Sequence, residues 1–259
     1  DKLLLGVSGA GPLHFSVQER YEKATSSILI EGYGLTEASP VCCVNPIWCS
    51  EEQRKANSIG LPLSGTEMAI VDKEDASRVL GIGNGPDDKE NIGELAVSGP
   101  QIMKGYLDND AETASHIVER GGKRWLLTGD IGFMNSKGQV TILDRKKELI
   151  KFKGYSVFPK DVENLVGRHE AVKEIAVAGL PDGEAGEVIK AWVVLYPEMV
   201  GKITEEELKA WCKENITHYK VPRYIEFIDE VPKNMVGKIL RRVLKENDPV
   251  YKEFFNNLE

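Results

Sequence analysis

No run in this sequence approaches the ~20 consecutive apolar residues that a membrane-spanning helix needs, and no secretory leader pattern opens it. Cysteine is scarce: Cys42, Cys43, Cys49 and Cys212 are the only four among 259 residues. They make no C-x-x-C spacing, and no His lies near the first three to complete a zinc site. Reduced, mostly buried thiols are therefore expected, which predicts a cytoplasmic protein over a disulfide-stapled secreted one. Basic residues are not in excess either. Lys and Arg number 33 against 41 Asp and Glu, a net charge of −8, which argues against a general nucleic-acid binder. What is present, 41% hydrophobic and 29% charged residues, is enough to bury a sizeable core in one large domain or two smaller ones.

Periodicity and turn chemistry divide the chain. Leu3–Val7 reads as a buried strand running into the turn formers Ser8, Gly9, Gly11 and Pro12. Ser16 and Glu19 form a capping-box pattern for a helix from Val17 to about Thr25. Ile28–Ile30 is a second apolar strand, followed by a loop over Glu31–Pro40, so an α/β layer is predicted. From about Asn57 to Asp144 the segments are short and β-like: Glu67–Val71, Gly93–Val97, Ile131–Phe133 and Val140–Leu143. Asn135-Ser136-Lys137-Gly138 predicts a hairpin between the last two, and the many short strands with Gly-rich turns predict a small β-barrel or sandwich. After a basic stretch (Arg145, Lys146, Lys147, Lys151, Lys153) a second α/β pattern follows. It comprises a helix opened by Pro159, strands at Val172–Leu180 and Val188–Tyr196, and a helix with a Thr204/Glu207 capping box. A strand at Tyr224–Ile228 and a basic helix from Lys238 to Glu246 complete it. The expected boundary falls near residue 146.

Three segments could carry chemistry. Tyr33-Gly34-Leu35-Thr36-Glu37 follows an apolar strand, where α/β sheets place ligands. Its aromatic ring, hydroxyl and carboxylate could stack a base, touch a phosphate and hold a hard cation; a Gly turn with Thr36 as helix cap is the alternative. Thr128-Gly129-Asp130 closes the apolar Trp125-Leu126-Leu127. Its carboxylate could accept a ligand's hydroxyl pair or simply satisfy its own turn. Pro232–Lys238 ends in Gly-Lys without the first Gly and final hydroxyl of a G-x-x-x-x-G-K-[ST] loop. A Lys there could still bring a mobile positive charge to a phosphate, or be a solvated surface side chain.

The order of these segments is more telling than any one of them. Ser8–Leu13, Glu31–Glu37, Gly93-Glu94-Leu95 with Gly99 and Met103–Tyr106, Thr128–Asp130, Asp144–Ile150, Lys153-Gly154-Tyr155 and Pro232–Lys238 occur in that sequence. The set closely resembles the acyl-adenylate-forming superfamily, which includes acyl-CoA synthetases, peptide-synthetase adenylation domains and luciferases. The resemblance implies an α/β (α+β) fold. Residues 1–146 would be the C-terminal part of an adenylation domain including a β-barrel subdomain, and 147–259 a complete, mobile C-terminal domain. It further implies activation of a carboxylate with Mg²⁺ and ATP, release of pyrophosphate, and transfer of the acyl group from acyl-AMP to a thiol, that of CoA.

By motif position the resemblance places Gly32 and Tyr33 at the adenine, Thr36 at the α-phosphate and Glu37 on Mg²⁺. Asp130 and Arg145 would meet the ribose, and Lys238 would bridge carboxylate and phosphate during adenylation. Lys147 falls at the hinge, and Gly154 would line a pantetheine tunnel, where lack of a side chain permits close approach. For Lys151 a solvated linker position is the simpler expectation.

Lys153–Pro159 looks like the CoA-ligase form of its loop, and Glu31–Pro40 resembles medium- and long-chain fatty-acyl-CoA synthetases most. A fatty acid, ATP and CoA are thus the expected small-molecule partners, with no nucleic acid and no integral membrane segment. The sequence departs from the family's pattern by placing Gly11 before Pro12. It also has no Ser/Thr/Gly-rich phosphate loop ending in Lys upstream of the first motif. The chain, opening at Asp1, is therefore expected to be the C-terminal portion of a ligase, inactive alone. Transfer to a carrier-protein phosphopantetheine is one alternative. A nucleotide- or CoA-binding module without catalysis is another.

Overall fold

The structure, a computed structural model, describes residues 3–256 apart from 10, 12, 14, 49, 51–53, 55–57, 235, 236 and 238. The chain divides into two compact units, Asp1–Lys146 and Lys147–Glu259.

The first unit opens with β1 (Leu5–Ser8), α1 (Phe15–Thr25) and β2 (Ile28–Gly34), a strand–helix–strand passage in which β1 and β2 pair in parallel. β3 (Val41–Val44) and β4 (Leu61–Pro62) continue the sheet antiparallel, in the order β1-β2-β3-β4. Three expectations change here. β1 ends the sheet order, so Leu3 and Leu4 beside it are exposed, not buried. Helix α1 starts one residue before Ser16, which therefore lies in its first turn and is not its cap. Residues 31–34 belong to β2 and not to a loop, because pairing with β3 keeps the backbone extended through Gly34.

The second sheet contains β5 (Glu67–Val71), β6 (Gly93–Ser98), β7 (Ile117–Arg120), β8 (Lys123–Met134) and β9 (Val140–Arg145). A short helix α2 (Asp110–His116), capped by the Asn109 side chain on the Glu112 N–H, precedes β7. The long strand β8 organises the sheet. One edge pairs with β6; the other pairs with β7 along its first part and with β9 along its second. The β8–β9 hairpin turns at Asn135–Gly138, where the Asn135 carboxamide accepts the N–H groups of Lys137 and Gln139. This is an open sheet of order β5-β6-β8-β7 with β9 beside β8. The small β-barrel expected from the run of short strands is not there. Closure requires the two end strands to pair, and here β7 and β9 share one edge of β8 in place of reaching β5. Ala38, Cys42, Cys43, Ile70, Leu95, Val97, Leu126 and Val140 form the core of this unit. Cys42, Cys43 and Cys212 are buried free thiols; Cys49 lies outside the described residues.

The second unit begins with the hairpin β10 (Ile150–Phe152) and β11 (Tyr155–Val157), then α3 (Pro159–Val166), β12 (Val172–Asp182) and β13 (Gly186–Leu195). Helix α4 (Glu205–Asn215) starts at the Thr204/Glu207 capping box, with both reciprocal bonds made. Strand β14 (Tyr224–Phe227) joins β13 in parallel, and α5 (Arg241–Asn247) and α6 (Pro249–Asn256) follow. The last basic helix therefore begins at Arg241, three residues later than expected. The core of this unit is closed by α3 and α4, whose Val162, Val166, Leu208 and Cys212 cover Ile150, Val177, Ile189 and Val193. No helix among the described residues is long and apolar enough to cross a membrane.

Candidate functional site

Asp130 is the centre of a candidate site in the first unit, and a local irregularity presents it. Between the pairs Glu94↔Ile131 and Ala96↔Leu127, β8 carries three residues where β6 carries one. This bulge absorbs Thr128, Gly129 and Asp130, and it needs the positive φ of +73° at Gly129. The sequence reads this triplet as a turn closing the strand, whereas β8 runs straight through it. The bulge is held by its own polar groups. The Thr128 hydroxyl donates to the Leu95 C=O at 2.9 Å and accepts the Asp130 N–H at 3.1 Å. The Glu94 carboxylate, almost fully buried, accepts the Gly129 N–H and the Lys146 ammonium, each at 2.9 Å.

The Asp130 side chain, itself buried, is approached by two donors, one from a distant part of the chain and one from the paired strand β9. The Tyr33 hydroxyl, on β2, donates to one carboxylate oxygen. The Arg145 Nε, on β9, lies 3.2 Å from the other. Burial pushes the Tyr33 phenol far above its ordinary value, and the adjacent Asp130 charge pushes it further, so Tyr33 stays a neutral donor. A phenol, a carboxylate and a guanidinium are thus gathered across two sheets.

Beyond β2, Thr36, Glu37 and Ala38 form a single 3-10 turn. Leu35, not Thr36, precedes it as the cap, and no side-chain cap bond forms. Thr36 is exposed, and Glu37 is half-buried. Gly34 is required where it stands: a Cβ would lie 1.9 Å from the Pro40 carbonyl oxygen. Gly32 is under no such demand, since a Cβ would meet Val7 at an ordinary 3.5 Å. The Glu37 carboxylate accepts the Tyr106 hydroxyl at 2.8 Å, and its backbone C=O accepts the Met103 N–H at 2.8 Å. Burial and then Glu37 itself push the Tyr106 phenol up to about 12. The described residues contain no group of three or more His, Cys, Asp or Glu suited to a metal. Glu37 would thus be a lone protein ligand, which suits a cation whose remaining oxygens come from phosphate and water.

The structure brings Tyr33, Asp130 and Arg145 together and places Thr36 and Glu37 on the turn that follows β2. Lys147 is exposed in the 3-10 turn Lys146–Glu148, where the two units meet in sequence. The basic stretch is no solvated linker: Arg145 and Lys146 are paired, and Lys151 lies in β10 with its N–H on the Glu187 carboxylate. Gly154 also has a local backbone role. Lys153 and Gly154 form the two-residue turn of the β10–β11 hairpin with φ of 47° and 83°, as a type I′ turn demands. A Cβ at Gly154 would touch nothing within 4 Å, so no neighbour in this unit crowds it. Lys238, like Ala10 and Pro12 of the Ser8–Leu13 loop, lies outside the described residues.

Sequence reasoning singled out neither Glu94 nor Tyr106 as functional. Both sit inside quoted motifs, and a carboxylate amid the apolar residues of β6 was the available signal for Glu94. Lys146 was legible only as one charge in a basic run.

With this geometry in place, the chain belongs to the AMP-binding enzyme family, that of the acyl-adenylate-forming enzymes. The family's AMP-binding enzyme profile matches residues 1–107, and its AMP-binding enzyme C-terminal domain profile matches residues 161–238. Among curated relatives, a long-chain-fatty-acid–CoA ligase of Bacillus subtilis (strain 168) is 43% identical over 242 residues, covering 93% of this chain and 40% of the relative. Among solved structures, ATP-bound MatB from Rhodopseudomonas palustris superposes with a TM-score of 0.81 at 29% identity, over 95% of this chain and 46% of that one. The O-succinylbenzoate coenzyme A synthetase of Bacillus subtilis in complex with AMP gives 0.71 at 29% identity, over 93% and 45%. The chain thus spans about 40% of the length of the curated relatives it matches.

Proposed function

We propose that these residues serve an AMP-forming fatty-acyl-CoA ligase, which joins a fatty acid to CoA through an acyl-adenylate at the expense of ATP. The observation that carries the reading is the convergence of Tyr33, far away in the chain, and Arg145, on the neighbouring strand, on the buried Asp130 carboxylate. Such a carboxylate can accept the hydroxyl pair of a ribose. Tyr33, oriented by its bond to Asp130, would offer its ring beside Gly32 to the adenine, and Arg145 would add a donor to the ribose. Support also comes from the relatives' names and from the ATP and AMP held by the related structures.

Thr36 would donate to the α-phosphate. Glu37 would supply the single protein oxygen for Mg²⁺, which when bound neutralises phosphate charge. Lys238 would place its ammonium between carboxylate and α-phosphate, where negative charge grows as the acyl-phosphate bond forms and pyrophosphate leaves. Loss of a group with that role commonly costs about 10²–10³ in rate. In this reading residues 147–259 are a mobile domain turning at Lys147. One orientation would present Lys238 for adenylation and another would present Gly154 for entry of the CoA thiol.

The test is ATP–pyrophosphate exchange with a panel of fatty acids, run on this chain and on a chain of the relatives' full length. Exchange by the longer chain and none by this one is expected. Absence of exchange by the longer chain with every carboxylate would defeat the ligase reading. In that longer chain Lys238→Ala should abolish exchange yet spare thioester formation from supplied acyl-AMP; equal loss of both would remove Lys238 from its role. CoA should accept the acyl group in preference to a carrier protein.

A further inference from the structure

A second charged cluster, in the other unit, is unused by the chemistry above. Arg241 opens α5, and its guanidinium is largely buried among three elements. Its Nη2 donates to both Glu163 oxygens at 2.8 Å, and its Nη1 donates to the Glu148 carboxylate at 2.6 Å. Its Nε reaches the Val177 C=O at 3.1 Å and Glu163 at 3.2 Å. Glu163 in turn accepts the Val177 N–H at 2.8 Å. Helix α3, the outer edge of β12, the first residue of α5 and the 3-10 turn Lys146–Glu148 therefore meet at one planar fork. Arg suits such a junction because its donors are rigidly arrayed and its charge is permanent.

The position of this fork in the chain gives it meaning. Glu148 directly follows Lys147, and only Ile239 and Leu240 separate Arg241 from Lys238. The loop carrying Lys238 is closed at its base by the Lys233↔Ile239 bridge and by the Leu240 N–H on the Pro232 C=O at 2.8 Å. The Gly237 N–H on the Asn234 C=O, at 2.9 Å, tightens it further. The base of the Lys238 loop and the residue after Lys147 thus hang from one side chain.

We propose that Arg241 is a positioning residue: by joining Glu148 to Glu163 and to the start of α5, it holds the base of the Lys238 loop and the turn at Lys147 as one rigid piece. In functional terms this rests on the ligase reading, because it gives the fork a consequence for adenylation and none for the thiol step. A rotation at Lys147 is then delivered to the base of the loop at Ile239 and Leu240.

Two measurements test it. In this chain, hydrogen exchange of the Gly237 and Leu240 amides should accelerate at least tenfold in Arg241→Ala, with the β13 amides unchanged. Glu148→Gln, which keeps the Glu163 fork, should give a smaller acceleration at the same amides. In the full-length chain, Arg241→Ala should lower kcat for ATP–pyrophosphate exchange at least tenfold with KM for ATP within twofold. Thioester formation from supplied acyl-AMP should stay within twofold. Unchanged exchange at Gly237 and Leu240 overturns the proposal, as does equal loss of both half-reactions. If the unaltered full-length chain lacks pyrophosphate exchange, the ligase reading fails, and the hydrogen-exchange result alone decides the tether.

Discussion

The bond between Tyr33 and Asp130 is the most informative single contact to break, because it joins the two sheets of the first unit. Tyr33→Phe removes the donor and leaves the ring. A hydrogen bond to a charged group contributes about 1.5–3 kcal/mol, so a loss of that size is expected. Asp130→Asn weakens the same bond and also the contact with Arg145, whose side chain is 43% exposed. A pair that open to solvent adds only about 0.2–1 kcal/mol, and a neutral carboxamide keeps about half of the bond's strength, so this variant should lose about 1–2.5 kcal/mol. The double variant loses the shared bond once. Its cost should fall short of the sum by about 1–2 kcal/mol, a coupling typical of residues in direct contact. Urea unfolding monitored through Trp125, buried in β8, reads the first unit apart from Trp192 and Trp211 in the second. To isolate its signal, the comparison is made in a background with those two and Trp48 replaced by Phe. Additivity within about 0.5 kcal/mol would refute a direct bond between β2 and β8.

The two glycines of β8 should respond differently to alanine. Gly129→Ala meets nothing within 4 Å and pays only for its positive φ, about 1–2 kcal/mol, whereas Gly132→Ala drives a Cβ to 2.1 Å from the Thr141 carbonyl oxygen and should cost more in the same unfolding assay. Burial and the Glu37 carboxylate push the Tyr106 phenol up to about 12 from its ordinary value near 10. Its contribution is therefore complete below about pH 10 and is lost as pH rises toward 12; stability measured over that range should fall less in Tyr106→Phe than in the unaltered chain. Burial pushes the Cys42 and Cys212 thiols up to about 11 and Cys43 higher still. At about pH 8 these three should resist a thiol reagent until urea is added, and rapid labelling of any of them, identified by peptide mapping, would contradict the packing.

Much of the secondary structure follows from local chemistry and was legible in the sequence. The Pro159 helix start, the Thr204/Glu207 cap, the Asn135–Gly138 turn and the strand at Glu67–Val71 each depend on a few neighbouring residues. The errors fell where non-local pairing decides. Residues 31–34 look like a loop until β3 pairs with them, and Thr128-Gly129-Asp130 looks like a turn until β6 pairs on both sides of the bulge. The barrel failed for the same reason, since strand count says nothing about which edges meet.

What the sequence by itself determined was the ordered set of motifs, and with it the family and the residues worth watching. Short-range patterns such as Gly-Leu-Thr-Glu or Thr-Gly-Asp survive in a linear reading because their spacing is their content. Only the tertiary structure decided that Tyr33, Asp130 and Arg145 share one carboxylate, that Glu94 holds the bulge presenting it, and that Arg241 binds Glu148 and Glu163. Most of those partners lie tens of residues apart, and a charge acquires its meaning from the burial and the counter-charge that the fold brings to it.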